Sequence, residues 1–242
     1  MGVSWVSLNQ NDSVVQYGLV ADKLDEEVRG YITTYPSAGW IGNIHRATMH
    51  SLSAGSTYYY RVGDGATKWS SVFSFATFSN QETEMVSYMI IGDMAYDEIS
   101  DDTVKSMISL VNAGKVQAVI HSGDISYADG YEPHWDDFFN KIEPIASRVP
   151  YMVAPGNHEF WYNFSSYKAR FYMPGVMDKG GSGDNMFYSW EQGPAHFISM
   201  NSETAIDTAN FSSAEIAWLE DDLKHVDRTK KPWVIVNMHR PM

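Results

Sequence analysis

The 242-residue sequence contains no cysteine, which excludes disulfides, thiolate catalysis and cysteine-ligated zinc. It also lacks any apolar run of about 18 residues, so no membrane-spanning helix is expected. Basic residues are scarce: 17 Lys and Arg face 30 Asp and Glu, a formal charge of −13. This charge argues against a nucleic-acid partner, which needs basic patches. A small phosphorylated substrate stays compatible with it, because bound cations can reverse the local field.

Apolar residues make up 44% of the chain and aromatic residues 14%, enough for a sizeable core. The pattern changes near residue 80, which predicts two domains, 1–80 and 81–242. Residues 79–84 are polar and are predicted to be a linker. The first part is rich in Val, Thr, Tyr and Ser without helical periodicity, which is typical of an antiparallel sandwich. Its predicted strands are Val3–Leu8, Val14–Leu19, Tyr31–Tyr35, Ile44–Met49, Thr57–Val62 and Ser71–Thr77.

The stretch 52–62, Leu-Ser-Ala-Gly-Ser-Thr-Tyr-Tyr-Tyr-Arg-Val, resembles the late strands of a fibronectin type III-like domain. In such domains a tyrosine near a strand start bonds back to the preceding corner. The aromatic stripe is therefore interpreted as core and corner rather than as a ligand site.

From Met85 the pattern becomes strand–helix–strand–helix–strand, which predicts a mostly parallel sheet. The predicted strands are Met85–Ile91, Val116–Ile120 and Tyr151–Val153; one helix is capped by Asp101 or Asp102, and another begins near Pro133 and ends or kinks at Pro144. Downstream, 160–184 is predicted to be a long loop, and Met186–Trp190 with His196–Met200 a hairpin. A helix after a Ser212–Glu215 capping box is expected to face Ile216, Leu219, Leu223 and Val226 inward, before a last strand at Trp233–Val236.

Four of these predicted strands end in polar residues. Gly92-Asp93 ends the first, Gly123-Asp124 with Tyr127 the second, Gly156-Asn157-His158-Glu159 the third, and His239 follows the last. Because the strands of a sheet deliver such tips to a common edge, we expect them to converge. Carboxylate, amide, phenol and imidazole groups together form a ligand set for hard or borderline cations. Each Gly-Asp alone could be a turn with a capping Asp, but four successive coincidences favour a metal site.

The blocks 92–93, 123–127, 156–159 and 236–239 resemble four of the five signature blocks of purple acid phosphatases, within the calcineurin-like metallophosphoesterases. The sandwich before residue 80 is similar to that family's N-terminal domain. The resemblance implies an α/β metallophosphoesterase domain, a β-sandwich flanked by helices, after a fibronectin type III-like sandwich. It implies a metal-dependent acid phosphatase that hydrolyses phosphate monoesters or anhydrides with metal-activated hydroxide at a binuclear centre.

The family pattern also implies residue roles. Asp93 and Tyr127 would bind Fe(III), and the Tyr127 phenolate would give the purple colour. Asp124 would bridge both metals. Asn157 and His239 would bind a divalent ion (Zn, Mn or Fe), with Asn157 also at the substrate. His158 would contact the substrate phosphate and help to protonate the leaving group, as the catalytic residue.

The sequence departs from the family pattern in two places. Ala95 stands where the family usually has Gly. The fifth block, Gly-His-x-His, does not occur within 1–242, and it would bring one more histidine to each metal. The other histidines are interpreted as core or surface residues, His121 among them. The resemblance thus describes a catalytic domain incomplete at its C-terminus, and we expect this chain alone to be weakly active or inactive.

A second function is therefore kept open: a non-catalytic truncated homologue, or a sandwich-domain binding module with an incomplete metal site. A third is a carbohydrate or adhesion binder built on Trp40 and Trp69, expected to be exposed. Metal content discriminates the first function from the others.

Three sequons, at Asn11, Asn163 and Asn210, favour a glycoprotein with a secretory history. No signal peptide is visible. By the family resemblance we expect a secreted, lysosomal or vacuolar protein, and we leave homo-oligomerisation open.

Overall fold

The computed structural model describes residues 1–79, 85–177, 181–204 and 211–241. The linker predicted at 79–84 therefore lies almost entirely outside the described residues. In the part of the chain that is described, no helix is long and apolar enough to cross a membrane.

Residues 1–79 form a two-sheet sandwich, called here the N-terminal sandwich. One sheet has the order β1-β5-β4 and the other β3-β2-β6-β7, and every strand pair is antiparallel. The strands are β1 (Gly2–Ser7), β2 (Val14–Gly18), β3 (Glu26–Arg29), β4 (Tyr31–Thr33), β5 (Asn43–Thr48), β6 (Thr57–Gly63) and β7 (Phe73–Ala76).

The sandwich core confirms the aromatic interpretation of 52–62. Tyr58 and Tyr60 are buried and pack with Phe75 and Val15. The Tyr58 hydroxyl accepts a hydrogen bond from the backbone N–H of Ser53 at 3.0 Å, so the predicted tyrosine corner is present.

Residues 85–241 form a second, α/β part that contains two three-stranded sheets. The strands are β8 (Tyr88–Ile91), β9 (Ala118–Ser122), β10 (Tyr151–Ala154), β11 (Tyr188–Gln192), β12 (Ala195–Ser199) and β13 (Trp233–Asn237); the helices are α1 (Asp101–Asn112), α2 (Pro133–Ala146), α3 (Trp161–Arg170), α4 (Pro174–Met177) and α5 (Ser213–His225). The first sheet, β10-β9-β8, is entirely parallel, as predicted.

The second sheet joins the predicted hairpin β11-β12 to β13, which runs parallel to β12. The two sheets pack through Ile120, Phe197 and Tyr88, and the Tyr88 and Phe197 rings meet edge to face at 4.8 Å. Because β8, β9, β10 and β13 are parallel within their sheets, their carboxyl ends can supply one common site.

Several sequence expectations were wrong. Residues 160–184 are not one long loop, because α3 and α4 lie within them. Strand β3 was missed, since three of its four residues are charged. Of the two alternatives for Pro144, an end or a kink, the end is excluded, because α2 continues to Ala146. Before α1, Asp97 caps a short 3-10 turn, so Asp101 and Asp102 lie in the first turn of the helix.

Helix α5 also differs from its predicted orientation. Ile216 is 38% and Leu223 43% exposed, whereas Glu215 is buried. The Glu215 carboxylate accepts the Asn201 N–H at 2.7 Å, which explains why a charged residue occupies the inner face. The capping interaction is present, because the Ser212 hydroxyl accepts the Glu215 N–H at 3.1 Å.

The sandwich and the α/β part meet at a buried polar seam. Its members are Tyr35 from the sandwich and Glu132, Asp136, Ser166 and Arg170 from the α/β part. The Tyr35 hydroxyl donates to Glu132, and Arg170 Nε donates to the Tyr35 oxygen at 2.6 Å. Arg170 Nη1 bonds Asp136 at 2.6 Å, and Ser166 donates to Glu132 at 2.7 Å. Below, this cluster is called the seam.

A second seam contact comes from Arg46 on β5. Its Nη2 lies 2.5–3.2 Å from the backbone oxygens of Lys168, Ala169 and Phe171 at the end of α3. The sandwich therefore holds the end of the helix that starts two residues after Glu159.

Candidate metal centre

The predicted site residues lie at the carboxyl ends of four strands. Asp93 follows β8, Asp124 follows β9, and Asn157 begins a 3-10 turn after β10. His239 follows β13, in the other sheet. The predicted convergence is present for Asp93, Asp124 and His239, since one ligand atom from each lies within 4.8 Å of the others.

The loops after β8 and β9 are bonded to each other by their backbones. The N–H groups of Asp93, Met94 and Ala95 donate to the carbonyls of Gly123, Asp124 and Ile125 at 3.1–3.2 Å. These backbone hydrogen bonds hold Asp93 and Asp124 side by side without a ligand.

Five residues of these loops have left-handed backbone conformations, with φ between 49° and 67°: Asp93, Ala95, Asp124, Tyr127 and Asp129. Such conformations are costly for residues other than glycine and are concentrated at functional sites. At Ala95 the family's usual glycine would adopt this conformation more easily, so the methyl group adds strain there.

Two glycines leave the space in which the ligands meet. A Cβ on Gly123 would lie 2.7 Å from the His239 side chain. A Cβ on Gly156 would lie 2.2 Å from Asp124 Oδ1. Any larger residue at either position would push a predicted ligand away.

Asp124 is buried and lies at the centre of the cluster. Its Oδ2 is 3.4 Å from His239 Nε2, and its Oδ1 accepts the backbone N–H of His158 at 3.0 Å. Burial raises the pKa of Asp124, but the bonds from His239 and His158 outweigh this effect and the pKa is lowered. The bond to Asp124 in turn raises the pKa of His239 to about 9. A carboxylate with two available oxygens can bridge two cations about 3.5–4 Å apart.

Tyr127 donates its phenol proton to Asp93 Oδ1 at 2.8 Å. Burial and this hydrogen bond raise the pKa of Tyr127 well above its usual value. The phenol therefore keeps its proton, and a strongly polarising cation would have to displace it. Carboxylate and phenolate oxygens suit such a hard cation, so the donor set fits the metal centre that the sequence predicts.

Asn157 is exposed and its side-chain oxygen lies 3.3 Å from Arg240 Nη2. Arg240 is itself held by both oxygens of Glu203, at 2.9 and 3.0 Å, and follows His239 in the chain. An amide oxygen has two lone pairs, so Asn157 can accept from Arg240 and still offer an oxygen to a cation. Glu203 and Arg240 carried no signal in the sequence.

His158 lies beside Asp124, with Nε2 3.8 Å from Oδ2, but it is not among the three residues whose ligand atoms converge. Its Nδ1 is 2.6 Å from Asp129 Oδ1, and its ring lies 4.2 Å from that of Tyr127. Asp129 was missed by the sequence reasoning, because nothing distinguishes it from any exposed turn aspartate.

Glu159 supports the site from beneath. Its carboxylate accepts the backbone N–H groups of Asp124, Ile125 and Gly156 at 2.8–2.9 Å. Burial raises the pKa of Glu159 to about 7. The residue therefore ties the loop after β9 to the loop after β10.

The other histidines do not join the cluster, as predicted. His121 is fully buried with its Nδ1 3.0 Å from the Tyr151 hydroxyl, and burial lowers its pKa to about 3. His196 bonds Asp222 at 2.7 Å, and His45 bonds two serines of the sandwich.

Trp40 and Trp69 are not exposed, so the expectation behind a carbohydrate-binding surface was wrong. Trp40 stacks on Tyr35 at 4.7 Å and on Arg170, and Trp69 lies under Arg61 at 4.4 Å. Both indoles are committed to contacts within the chain.

Comparison with known proteins identifies the family. The sequence profile of the family described as "Calcineurin-like phosphoesterase" matches residues 86–242. The profile described as "Purple acid Phosphatase, N-terminal domain" matches residues 1–77. The chain belongs to the purple acid phosphatase family of calcineurin-like phosphoesterases.

The relatives include proteins from animals and plants. Acid phosphatase type 7 of Danio rerio is 33% identical over all of this chain and 56% of its own length. Purple acid phosphatase 22 of Arabidopsis thaliana is 35% identical over 96% of this chain and 52% of its own length. The chain thus spans about half the length of these relatives.

A solved structure has a similar fold. The purple acid phosphatase PPD1 from yellow lupin (Lupinus luteus) seeds matches with a TM-score of 0.74 and 27% identity, over 97% of this chain and 48% of its own. The arrangement of a sheet-rich N-terminal domain before a metallophosphoesterase domain is confirmed.

Proposed function

We propose that this protein is a metal-dependent acid phosphatase that hydrolyses phosphate monoesters or anhydrides at a binuclear centre. The observation that carries the proposal is the meeting of Asp93, Asp124 and His239 within 4.8 Å at the ends of three strands. Bound cations would neutralise the charge of the substrate phosphate. They would also lower the pKa of a bound water, so that hydroxide is available even at low pH.

The chain's own residues would divide the binding of the metals. Asp93 and Tyr127, which are hydrogen-bonded to each other, would hold a hard cation such as Fe(III). His239 and Asn157 would hold a divalent ion (Zn, Mn or Fe). Asp124 lies against His239 and beside the Asp93 loop, so it would serve both ions.

His158 would act on the substrate rather than on a metal. The Asp129 carboxylate at Nδ1 orients the ring so that Nε2 faces the Asp124 side, where the phosphate would lie. From there Nε2 could hydrogen-bond the phosphate or protonate the leaving oxygen. Asp129 is thus a positioning residue for His158.

The test combines p-nitrophenyl phosphate hydrolysis near pH 5 with metal analysis of the purified protein. In a protein that contains this chain together with the fifth block, Gly-His-x-His, we expect about two metals per chain and turnover that a chelator removes. In His158→Ala we expect turnover to fall by roughly 10²–10⁴-fold with metal content preserved, the range typical of a lost general acid. Loss of metal in that variant would place His158 among the ligands, and turnover without metal would refute the proposal.

The non-catalytic alternative keeps one supporting observation. A relative that is 34% identical over all of this chain bears the name "Probable inactive purple acid phosphatase 9" of Arabidopsis thaliana. Metal analysis separates the two functions, because a binding module built on the sandwich would purify without stoichiometric metal.

A secretory, lysosomal or vacuolar location and N-glycosylation belong to the same proposal. Asn11 and Asn163 are exposed, as glycan acceptors must be, while Asn210 lies outside the described residues. A mass decrease on treatment with an N-glycosidase, lost in Asn11→Gln and Asn163→Gln, would support it. An unchanged mass of the protein from a eukaryotic host would contradict it.

A further inference from the structure

Four large aromatic side chains are exposed beside the candidate centre: Tyr131 (59%), Phe160 (49%), Trp161 (51%) and Tyr162 (48%). They are called here the aromatic platform. Single exposed apolar residues are ordinary on a protein surface, but a group of large aromatic ones indicates a binding site.

The platform is bonded directly to the residue that positions His158. Trp161 Nε1 donates to Asp129 Oδ1 at 3.3 Å, and this is the same oxygen that lies 2.6 Å from His158 Nδ1. The Tyr162 hydroxyl donates to the Gly130 carbonyl at 3.3 Å. The platform therefore adjoins the catalytic side of the cluster.

The rings of Trp161 and Tyr162 are packed over Gly130. A Cβ on Gly130 would lie 3.0 Å from the Trp161 ring and 3.4 Å from Tyr162, and this glycine has a φ of +83°. The two rings are thus held in place by the backbone beneath them, which lowers the entropy lost when a ligand stacks on them.

The backbone that presents the platform is anchored from below. Tyr162, Asn163 and Phe164 have left-handed φ values of 53–60°. Phe164 is buried and meets the Phe160 ring edge to face at 5.5 Å. Ser165 bonds Ser37 of the sandwich at 2.5 Å. Strained conformations persist only where the surrounding structure holds them. Here they leave the rings of Phe160, Trp161 and Tyr162 exposed.

We propose that the aromatic platform binds a planar aromatic ring in the leaving group of the phosphate ester, with Trp161 as the main specificity-determining residue. The inference rests on the proposed function. Trp161 Nε1 and His158 Nδ1 bond the same oxygen of Asp129, so the indole lies next to the imidazole that would contact the phosphate. The favoured substrates therefore carry an aromatic ring in the leaving group, as a nucleoside monophosphate does. Stacking on aromatic side chains is the chemistry that recognises such rings.

The test uses AMP and ribose 5-phosphate, because they share the phosphate ester and the sugar and differ in the base. With metals supplied, we expect kcat/KM for AMP to exceed that for ribose 5-phosphate by about tenfold, the size of one aromatic stacking interaction. Trp161→Ala should reduce this ratio to about one, mainly through KM for AMP. Trp161→Phe should keep most of it, because the ring remains while the bond to Asp129 is lost.

Two controls separate stacking from indirect effects. If Trp161 acted only by holding Asp129 and His158 in place, Trp161→Ala would also slow the turnover of ribose 5-phosphate. Trp69→Ala removes an indole from the N-terminal sandwich and should leave the ratio unchanged. Should Trp161→Ala fold poorly, Tyr131→Ala provides a second variant, with an expected reduction of the ratio of about threefold.

Equal kcat/KM for AMP and ribose 5-phosphate in the unaltered protein would overturn the platform while phosphatase activity stands. If a protein that contains this chain together with the fifth block hydrolyses neither ester, the proposed function fails. Calorimetric binding of the same two esters then tests the platform alone, and equal affinities overturn it.

Discussion

Two clusters of carboxylates in this protein balance their charge by different means. At the seam, Glu132 and Asp136 meet Arg170, a cation that the chain itself supplies. At the strand ends, Asp93 and Asp124 meet a phenol and His239, whose proton a metal can replace. The seam carries its own cation, whereas the strand-end cluster offers ligand atoms that fit a bound one. Buried charge alone therefore does not mark a functional site; the kind of partner does.

The largest expected effect is at Asp124. Asp124→Ala should lose both metals together and abolish turnover, because one carboxylate serves both ions. Metal analysis by mass spectrometry measures this. Asp102→Ala is the matched control, since that side chain is 99% exposed on α1. Retention of one full metal equivalent by Asp124→Ala would contradict the bridging role.

Next in size is the loss of the seam's cation. Arg170→Met would leave Glu132, which is 2% exposed, without its opposite charge. Removing one partner of a buried ion pair typically costs about 3–5 kcal/mol of unfolding free energy. Urea unfolding of the metal-loaded protein measures it, with exposed Lys105→Met as control. Adding Glu132→Gln should recover part of the loss. A change below about 1 kcal/mol would show that the seam is not a closed charge pair.

A smaller effect is expected at the phenol of the strand-end cluster. Tyr127→Phe should remove the visible absorption of the iron-loaded protein without a large change in stability, because only a hydrogen bond to Asp93 is lost. Absorption spectra and thermal unfolding of both proteins test this. An unchanged visible band would assign the colour to another group.

The smallest effect concerns Glu215, which belongs to neither cluster. Burial raises its pKa to about 7 from a usual value of 4.5. The folded protein then binds more protons than the unfolded chain between these values, so the wild type loses stability as pH rises from about 4.5 to about 7. Glu215→Gln removes this loss and keeps an acceptor for Asn201. Between pH 5 and pH 8 the Tm of Glu215→Gln should therefore fall less than the Tm of the wild type. The difference should be a few degrees, since 1 kcal/mol shifts Tm by about 2–4 °C.

The exposed Glu220→Gln on the same helix serves as the control for this measurement. Parallel pH profiles for the wild type and Glu215→Gln would contradict the assignment of a shifted carboxyl group to Glu215.

The candidate site was largely predictable because its residues follow buried strands directly. A strand's apolar run and the glycine after it are local signals, so Asp93, Asp124 and Asn157 could be placed from the sequence. Asp129 and Glu203 could not, since their roles arise from side chains brought together by the fold. The neighbours of Asp129, His158 and Trp161, lie 29 and 32 positions further along the chain.

The errors in the fold have similar causes. Strand β3 is an edge strand that consists mostly of charged residues, with Val28 alone packed against the core, so no alternating apolar pattern predicts it. Helix α3 begins with left-handed residues, which interrupt its periodicity. On α5, a carboxylate bonded to a backbone N–H took the inner position that Ile216 was predicted to occupy.

The seam also bears on how such a protein can evolve. Tyr35 is 97 positions from Glu132 and 135 positions from Arg170, and Arg46 caps the same helix from the sandwich side. A sandwich exchanged for that of a distant relative would have to bring an equivalent tyrosine and arginine, or leave a buried charge without partners. The two parts are therefore coupled through buried polar contacts and should unfold in one cooperative transition.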